Sequence, residues 1–373
     1  MAQNHPQFNL VSITTRKTNE KDKAELIPYD HTKCSNINTC PTWGVIRYSL
    51  HKKMEGASRA MALEAGAAAH EGFAAVKWYQ FHSKQAVTTT LSRIAENQGA
   101  RIFGEDRFER MKNTLSKTAN ERTNVINFTL EALYSSDFYD DPNDRNRTVS
   151  NISESLIAYI DRWDMDRYPI WIRDEEDPYS DLGIEIPYDI RVDVVYSIGS
   201  GRTAKEHHKA IRYTGKIDGL GWDAPGVLIS MENKTGARID DAWLAQWILS
   251  HQITGYNVAA TTFTGVECTR AFVEGMKIPL GKVVSDGIRK EAVNRSQTMF
   301  SKWVEWLIHT VEIDERYRDQ PLDAPMYTHS CNRYFRPCSF VPLCAEDDRE
   351  QKELILEEMT HDEWSPLEDS VQG

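Results

Sequence analysis

The chain has 373 residues, 40% hydrophobic and 27% charged, an ordinary globular composition with enough apolar material for a sizeable core. It has no run of about 18 apolar residues and no apolar leader core near its start, so the expectation is a cytoplasmic protein without a membrane span. The formal charge of −12 argues against a uniformly basic surface, but residues 345–373 carry 11 acidic side chains against Arg349 and Lys352, leaving −3 for the rest.

In chain order, residues 1–48 read as an irregular N-terminal arm with a Cys40-Pro41 step. Residues 49–180 read as a helical region. An alanine-rich stretch runs from about Ser49 to Tyr79, followed by helical patterns near 86–97, 107–135 and 150–163. Acidic loops interrupt these patterns near 137–148 and 174–182. Residues 181–290 read as a core sheet: 187–197, 210–222 and 226–234 are short segments rich in Val, Ile and Tyr, joined by glycine-containing turns. A helix is expected over Asp240 to Ala260 and a strand over Lys277 to Val284. Residues 291–344 hold the end of an amphipathic helix, expected from Lys290 to Tyr317, and a cysteine segment, and 345–373 form the acidic tail. The order predicts an α/β (α+β) fold, a mixed central sheet flanked by helices with a helical N-terminal insertion.

Asp218 closes one strand-like segment, and Glu232-Asn233-Lys234 closes the next. Residues two apart on a strand face one side, so Glu232 and Lys234 share a face that Asp218 can meet from the neighbouring strand. Two carboxylates suit a hard cation, and a lysine beside them can orient a water or stabilise a phosphate. A Glu and a Lys two apart usually form only a solvated strand face. Here they end the apolar run Val227-Leu228-Ile229. His70 follows Gly66 and three alanines on a small-residue helix, where a histidine is more often a hydrogen-bonded core residue than a ligand. Gln252 and Tyr256, four apart, share one helix face. Gly199-Ser-Gly201-Arg202 lacks the Gly-Lys-Ser/Thr of a phosphate loop and reads as a hairpin turn, so no ATPase motor is expected in this chain.

Taken in series, Gly66-x-x-x-His70, Gly215-x-x-Asp218, Glu232-x-Lys234 and Gln252-x-x-x-Tyr256 resemble the motifs of RecB-like nucleases of the PD-(D/E)XK superfamily. The resemblance implies a restriction-endonuclease-like core. It makes His70, Asp218 and Glu232 the ligands of Mg²⁺ or Mn²⁺ and Lys234 a catalytic residue, and it has Gln252 and Tyr256 position the DNA strand. Glu185 matches an acidic residue that often precedes the Asp strand. The implied activity is metal-dependent DNA cleavage, in exonuclease form on single-stranded ends, within recombination, repair or CRISPR-related processing. Any helicase or recombination protein would be a separate partner. The alternative is a catalytically silent protein that keeps the fold to bind nucleic acid or a partner.

Six cysteines in a reducing compartment favour metal or cluster ligation over disulfides. Cys40-Pro41, followed by Trp43 and Tyr48, together with Cys331, Cys338 and Cys344, resembles the iron–sulfur branch of that family, which includes CRISPR-associated RecB-like exonucleases and AddAB-type nucleases. By this resemblance the four thiolates ligate a [4Fe–4S] cluster that staples the C-terminus. Zinc is the alternative, and Cys34 is the alternative to Cys40. The small form and acidic tail look similar to phage-encoded members.

Overall fold

The computed structural model of the protein describes residues 7–15, 26–54, 61–162, 168–198, 205–281, 287–333, 336–365 and 367. The expected turn at 199–202 lies outside them. The chain forms two compact units, each built from separated stretches: residues 1–59, 189–215 and 297–372 in the first, and 60–188 with 216–296 in the second. The architecture is α/β, a mixed sheet flanked by helices. The first eight strands are β1 (Gln7–Thr15), β2 (Pro28–Tyr29), β3 (Lys52–Lys53), β4 (Ile184–Ile198), β5 (Lys205–Ala224), β6 (Val227–Gly236), β7 (Arg270–Lys277) and β8 (Ile288–Asn294), and the two-residue strands Asn332–Arg333, Arg336–Pro337 and Thr360–His361 follow them. Among the described residues, no helix is long and apolar enough to cross a membrane.

In the first unit, β1 runs antiparallel to β4, from Gln7 opposite Ser197 to Thr15 opposite Ile190, and β2 pairs in parallel with Arg212 and Tyr213 of β5. The N-terminal arm is more regular than its composition implies. Helix His31–Thr39 is capped by Asp30, whose carboxylate accepts from the Lys33 N–H at 2.7 Å, and Pro41 opens helix Pro41–Tyr48 at a position where a missing N–H costs nothing. The acidic tail is folded as well over residues 345–365. Helix Arg349–Glu358 leads into Thr360–His361, which pairs antiparallel with β3. Asp362 meets Arg47 at 2.6 Å and Lys53 at 3.4 Å.

In the second unit, β5, β6, β7 and β8 are neighbours in that order. β5–β6 and β7–β8 are antiparallel, whereas β6–β7 is parallel, from Ile229 opposite Arg270 to Gly236 opposite Lys277. A parallel pair needs a crossover, and helix His251–Thr264 supplies it, ending at Gly265 in the left-handed conformation (φ 72°). The long helix Met61–Lys84 is apolar nearly all round, as a buried helix must be. Its Trp78 stacks on Phe128 at 4.8 Å and meets Phe108 edge-on at 4.9 Å, at the centre of the core formed with helices Thr89–Phe103, Glu105–Asn113, Glu121–Tyr134 and Val149–Arg162.

Three sequence expectations are corrected here. The helix expected over Asp240 to Ala260 is split into Asp241–Ala245 and His251–Thr264. The break is held by buried Arg295, which donates to the carbonyls of Trp247 (3.0 Å), Ile248 (2.9 Å) and Ser250 (3.1 Å). The strand expected over Lys277 to Val284 ends at Lys277 instead, just before Pro279, which has no N–H to give a ladder; residues 282–286 lie outside the described set. Residues Ile288–Asn294 are strand rather than the start of a helix, because β7 pairs with them along their length, and the helix begins at Gln297.

Candidate metal centre and cysteine group

The second unit brings together the carboxylates and the histidine. Asp218 lies near the middle of β5, Glu232 and Lys234 follow the buried run of β6, and the next step of the ladder pairs Gly219 with Met231. Both carboxylates are buried. Helix Met61–Lys84 crosses this part of the sheet with His70 and Lys77 seven residues apart on one face. Gly219 makes the approach possible: a Cβ there would lie 2.9 Å from Lys77 Cε. His70 Nδ1 stands 3.4 Å from Asp218 Oδ2, and the same oxygen accepts from the Asn233 N–H at 2.9 Å.

A third acid joins them. Glu185, at the start of β4, has φ 50°, a left-handed conformation that costs a non-glycine residue about 1–3 kcal/mol. Two residues earlier, Gly183 comes so close to β5 that a Cβ would lie 2.0 Å from the Leu220 carbonyl oxygen. The backbone is thus tightly held where the Glu185 carboxylate is aimed. Ligand atoms of His70, Glu185 and Asp218 all lie within 4.8 Å of one another. Each glutamate has one oxygen on a lysine: Glu185 Oε2 on Lys216 Nζ at 2.6 Å, and Glu232 Oε1 on Lys234 Nζ at 2.5 Å. The other oxygen of each, Glu185 Oε1 and Glu232 Oε2, is buried with no hydrogen-bond partner. Buried carboxylate oxygens in this state are costly, and a cation satisfies them, so the donor set fits a metal.

The electrostatics favour the same reading. Burial, then the charge of Asp218, pushes the Glu232 carboxyl up to about 8, against the pull of Lys234 and Lys77. Burial also raises Asp218, but His70, Lys77, Lys234 and the Asn233 N–H more than offset it and hold Asp218 below the usual carboxylate range. Burial lowers His70, which leaves its imidazole neutral near pH 7 with a lone pair to give. A carboxyl raised in the folded state contributes most to stability below its unfolded value, near 4.5, and loses that contribution as the pH climbs to about 8. In EDTA, Glu232→Gln is therefore expected to gain thermal midpoint relative to the parent protein steadily from pH 5 to pH 8. A difference that does not change with pH would show that Glu232 is not proton-linked to folding.

Behind the carboxylates lies a buried polar chain. Lys77 Nζ donates to Asn233 Oδ1, Asn233 Nδ2 donates to Glu274 Oε2 at 3.4 Å, and Tyr159 donates to the same oxygen at 2.5 Å. Sequence reasoning missed Lys77, Tyr159, Asn233 and Glu274, because each acts through a tertiary neighbour. Lys216 had a visible signal, its position two residues before Asp218. Gln252 and Tyr256 share a helix as expected, with Gln252 Nε2 donating to the Tyr256 hydroxyl at 2.9 Å and Tyr256 meeting Tyr188 edge-on at 6.1 Å. They are not part of the group around Asp218. Trp247, just ahead of that helix, has its ring centroid 5.9 Å from Lys234 Nζ.

The first unit holds the cysteine group. Cys40 joins helices His31–Thr39 and Pro41–Tyr48, and its carbonyl accepts from the Gly44 N–H at 2.8 Å. The Cys338 N–H donates to the Cys331 carbonyl at 2.7 Å, closing a hairpin in which Arg333 pairs with Arg336, and Cys344 lies on the turn of helix Val341–Ala345. Cys338 and Cys344 pack against Ile46, Phe340, Leu343 and Met359. Burial pushes the Cys344 thiol up to about 11, and Cys40, Cys338 and Cys331 push it the same way; Cys338 is raised by burial and by Cys40 and Cys331. The four thiols thus lie within electrostatic reach of one another. Cys34 is buried elsewhere in the unit, among Asp30, Lys33 and Asp314, and Cys268 is buried beside Asn257 in the second unit.

No protein-family model matches the chain, and no curated protein matches it.

Proposed function

We propose that the protein is a metal-dependent DNA nuclease of the PD-(D/E)XK type with a restriction-endonuclease-like core, in its RecB-like iron–sulfur branch. The observation that carries this reading is the convergence of His70, Glu185 and Asp218 within 4.8 Å, beside the Glu232–Lys234 pair. His70, Glu185, Asp218 and Glu232 would hold Mg²⁺ or Mn²⁺, and the imidazole among the oxygens favours Mn²⁺. The cation, when bound, supplies charge neutralisation and a more acidic water. Lys234 holds a positive charge against the attacked phosphate. The Lys77–Asn233 bond holds the β6 residue whose N–H donates to Asp218. Gln252 and Tyr256 are assigned to strand positioning. Cys40, Cys331, Cys338 and Cys344 are assigned to a [4Fe–4S] cluster, which four thiolates can ligate. The substrate is DNA, taken as single-stranded or with free ends, and any motor belongs to a separate protein.

The test is cleavage of end-labelled single- and double-stranded DNA with Mn²⁺, Mg²⁺ or EDTA, by the parent protein and Asp218→Asn. Metal-dependent products that vanish in the isosteric variant are expected. Products that persist in Asp218→Asn, or none from the parent protein with either metal, would defeat the proposal.

A further inference from the structure

We propose that Lys216 is a second substrate-phosphate-binding lysine of this site, the counterpart on β5 of Lys234 on β6. This rests on the nuclease reading above and adds to it a residue that reading does not use.

The two lysines are placed alike. Lys216 precedes Asp218 by two residues on β5, and Lys234 follows Glu232 by two residues on β6, so each lysine shares a strand face with a carboxylate. The strands are antiparallel neighbours, with Gly219 opposite Met231 one step beyond the acids. Each ammonium holds one oxygen of a glutamate, at 2.6 Å for Lys216 on Glu185 and 2.5 Å for Lys234 on Glu232, and each glutamate leaves its second oxygen buried without a hydrogen-bond partner. Their exposures match as well: the lysine side chains are 29% and 26% exposed, and their partners 10% and 2%. Both lysines therefore reach from the solvent side towards a buried acid.

A pair of this kind is exchangeable. Glu185 shares its ligand group with His70 and Asp218. A divalent cation held there neutralises the charge that now keeps Lys216 in place. Lys216 then stands on the solvent side of the site with its counter-charge neutralised, and Lys234 is placed likewise once Glu232 is a metal ligand. Two ammonium groups flanking a metal-bound carboxylate pair can each donate to one of the two non-bridging oxygens of a phosphodiester. Among neighbouring groups, the acids acting on Lys216 are Glu185, Asp218 and Glu71, and Glu71 already carries Arg107. Its anionic partners are thus the proposed metal ligands and one acid committed elsewhere.

The alternative is that Lys216 only props up the Glu185 carboxylate. The two roles predict opposite signs. If Lys216 is a displaced stand-in for the cation, Lys216→Met removes a repulsion and tightens Mn²⁺ binding, read by calorimetry without nucleic acid. In Ca²⁺, a hard cation for the same oxygens, the variant weakens binding of a fluorescein-labelled single-stranded oligonucleotide, and the slope of log K against log salt falls by about 0.7, one phosphate contact. In EDTA, where Lys216 stays on Glu185, the variant changes oligonucleotide binding little. Lys216→Arg keeps the parent slope. Should Lys216→Met fail to fold by circular dichroism, Lys216→Gln is measured in its place. Weaker Mn²⁺ binding in the charge-removing variant marks a prop and overturns the proposal. So does an unchanged oligonucleotide affinity and slope in Ca²⁺ while the parent protein binds. A parent protein that neither binds nor cuts DNA removes the nuclease reading itself, and this inference with it.

Discussion

Lys234→Ala is expected to remain folded and to bind Mn²⁺ at least as tightly as the parent protein, yet to cut DNA more slowly by a factor on the order of 10²–10³. The side chain is a quarter exposed, so truncation leaves no large void. Removing the ammonium from Glu232 Oε1 frees that oxygen for a cation, which is why metal affinity should not fall. The rate should fall because charge develops on the phosphate in the transition state, and Lys234 is the cation nearest Glu232. The loss belongs in kcat rather than in KM, since a group that acts on developing charge adds little to ground-state binding. Single-turnover cleavage with saturating enzyme measures this directly. A Lys234→Ala variant with parental single-turnover rates would remove Lys234 from the mechanism.

The second large effect concerns the cysteines. Cys338→Ala and Cys344→Ala, purified without oxygen, should each lose visible absorption near 400 nm and lose thermal stability. Cys40 and Cys331 stand roughly 290 residues apart in sequence, and a cross-link closing a loop of that length is worth about 5–6 kcal/mol in chain entropy. For a chain of this size, that is a fall in Tm of about 7 °C. Cys34→Ala tests the assignment from the other side, because Cys34 lies among Asp30, Lys33 and Asp314, and its loss should leave the colour intact. Zinc in place of a cluster would give a colourless parent protein with stoichiometric metal. A colourless, metal-free parent protein of unchanged stability in both cysteine variants would end the staple hypothesis.

The readable part of the site was the part written locally. Asp218, Glu232 and Lys234 follow a two-residue period along strands, and His70 lies on an alanine-rich helix. Each of these patterns is visible within a dozen residues. Glu185 is legible only through the resemblance, because its orientation depends on a left-handed backbone and on Gly183 pressing against Leu220, both tertiary facts. Residues 290–294 suit helix and strand alike by composition, and pairing with β7 decides for strand. The break at 246–250 was invisible because Arg295, about 45 residues away, holds the carbonyls that the helix would otherwise use. The tail was read by charge alone. Its pairing with β3 and the contacts of Asp362 with Arg47 and Lys53 depend on residues more than 300 positions upstream.

That last contact governs how the polypeptide matures during synthesis. Every stretch of the second unit has been translated once the ribosome passes residue 296, so that unit can fold while the rest is still being made. The first unit has no such option: β3 waits for Thr360–His361, and Arg47 waits for Asp362, more than 300 residues later. Cys40 is made roughly 290 residues before Cys331, and Cys338 and Cys344 follow later still. A premature stop after residue 330 would leave His70, Glu185, Lys216, Asp218, Glu232 and Lys234 on a product whose first unit never closes.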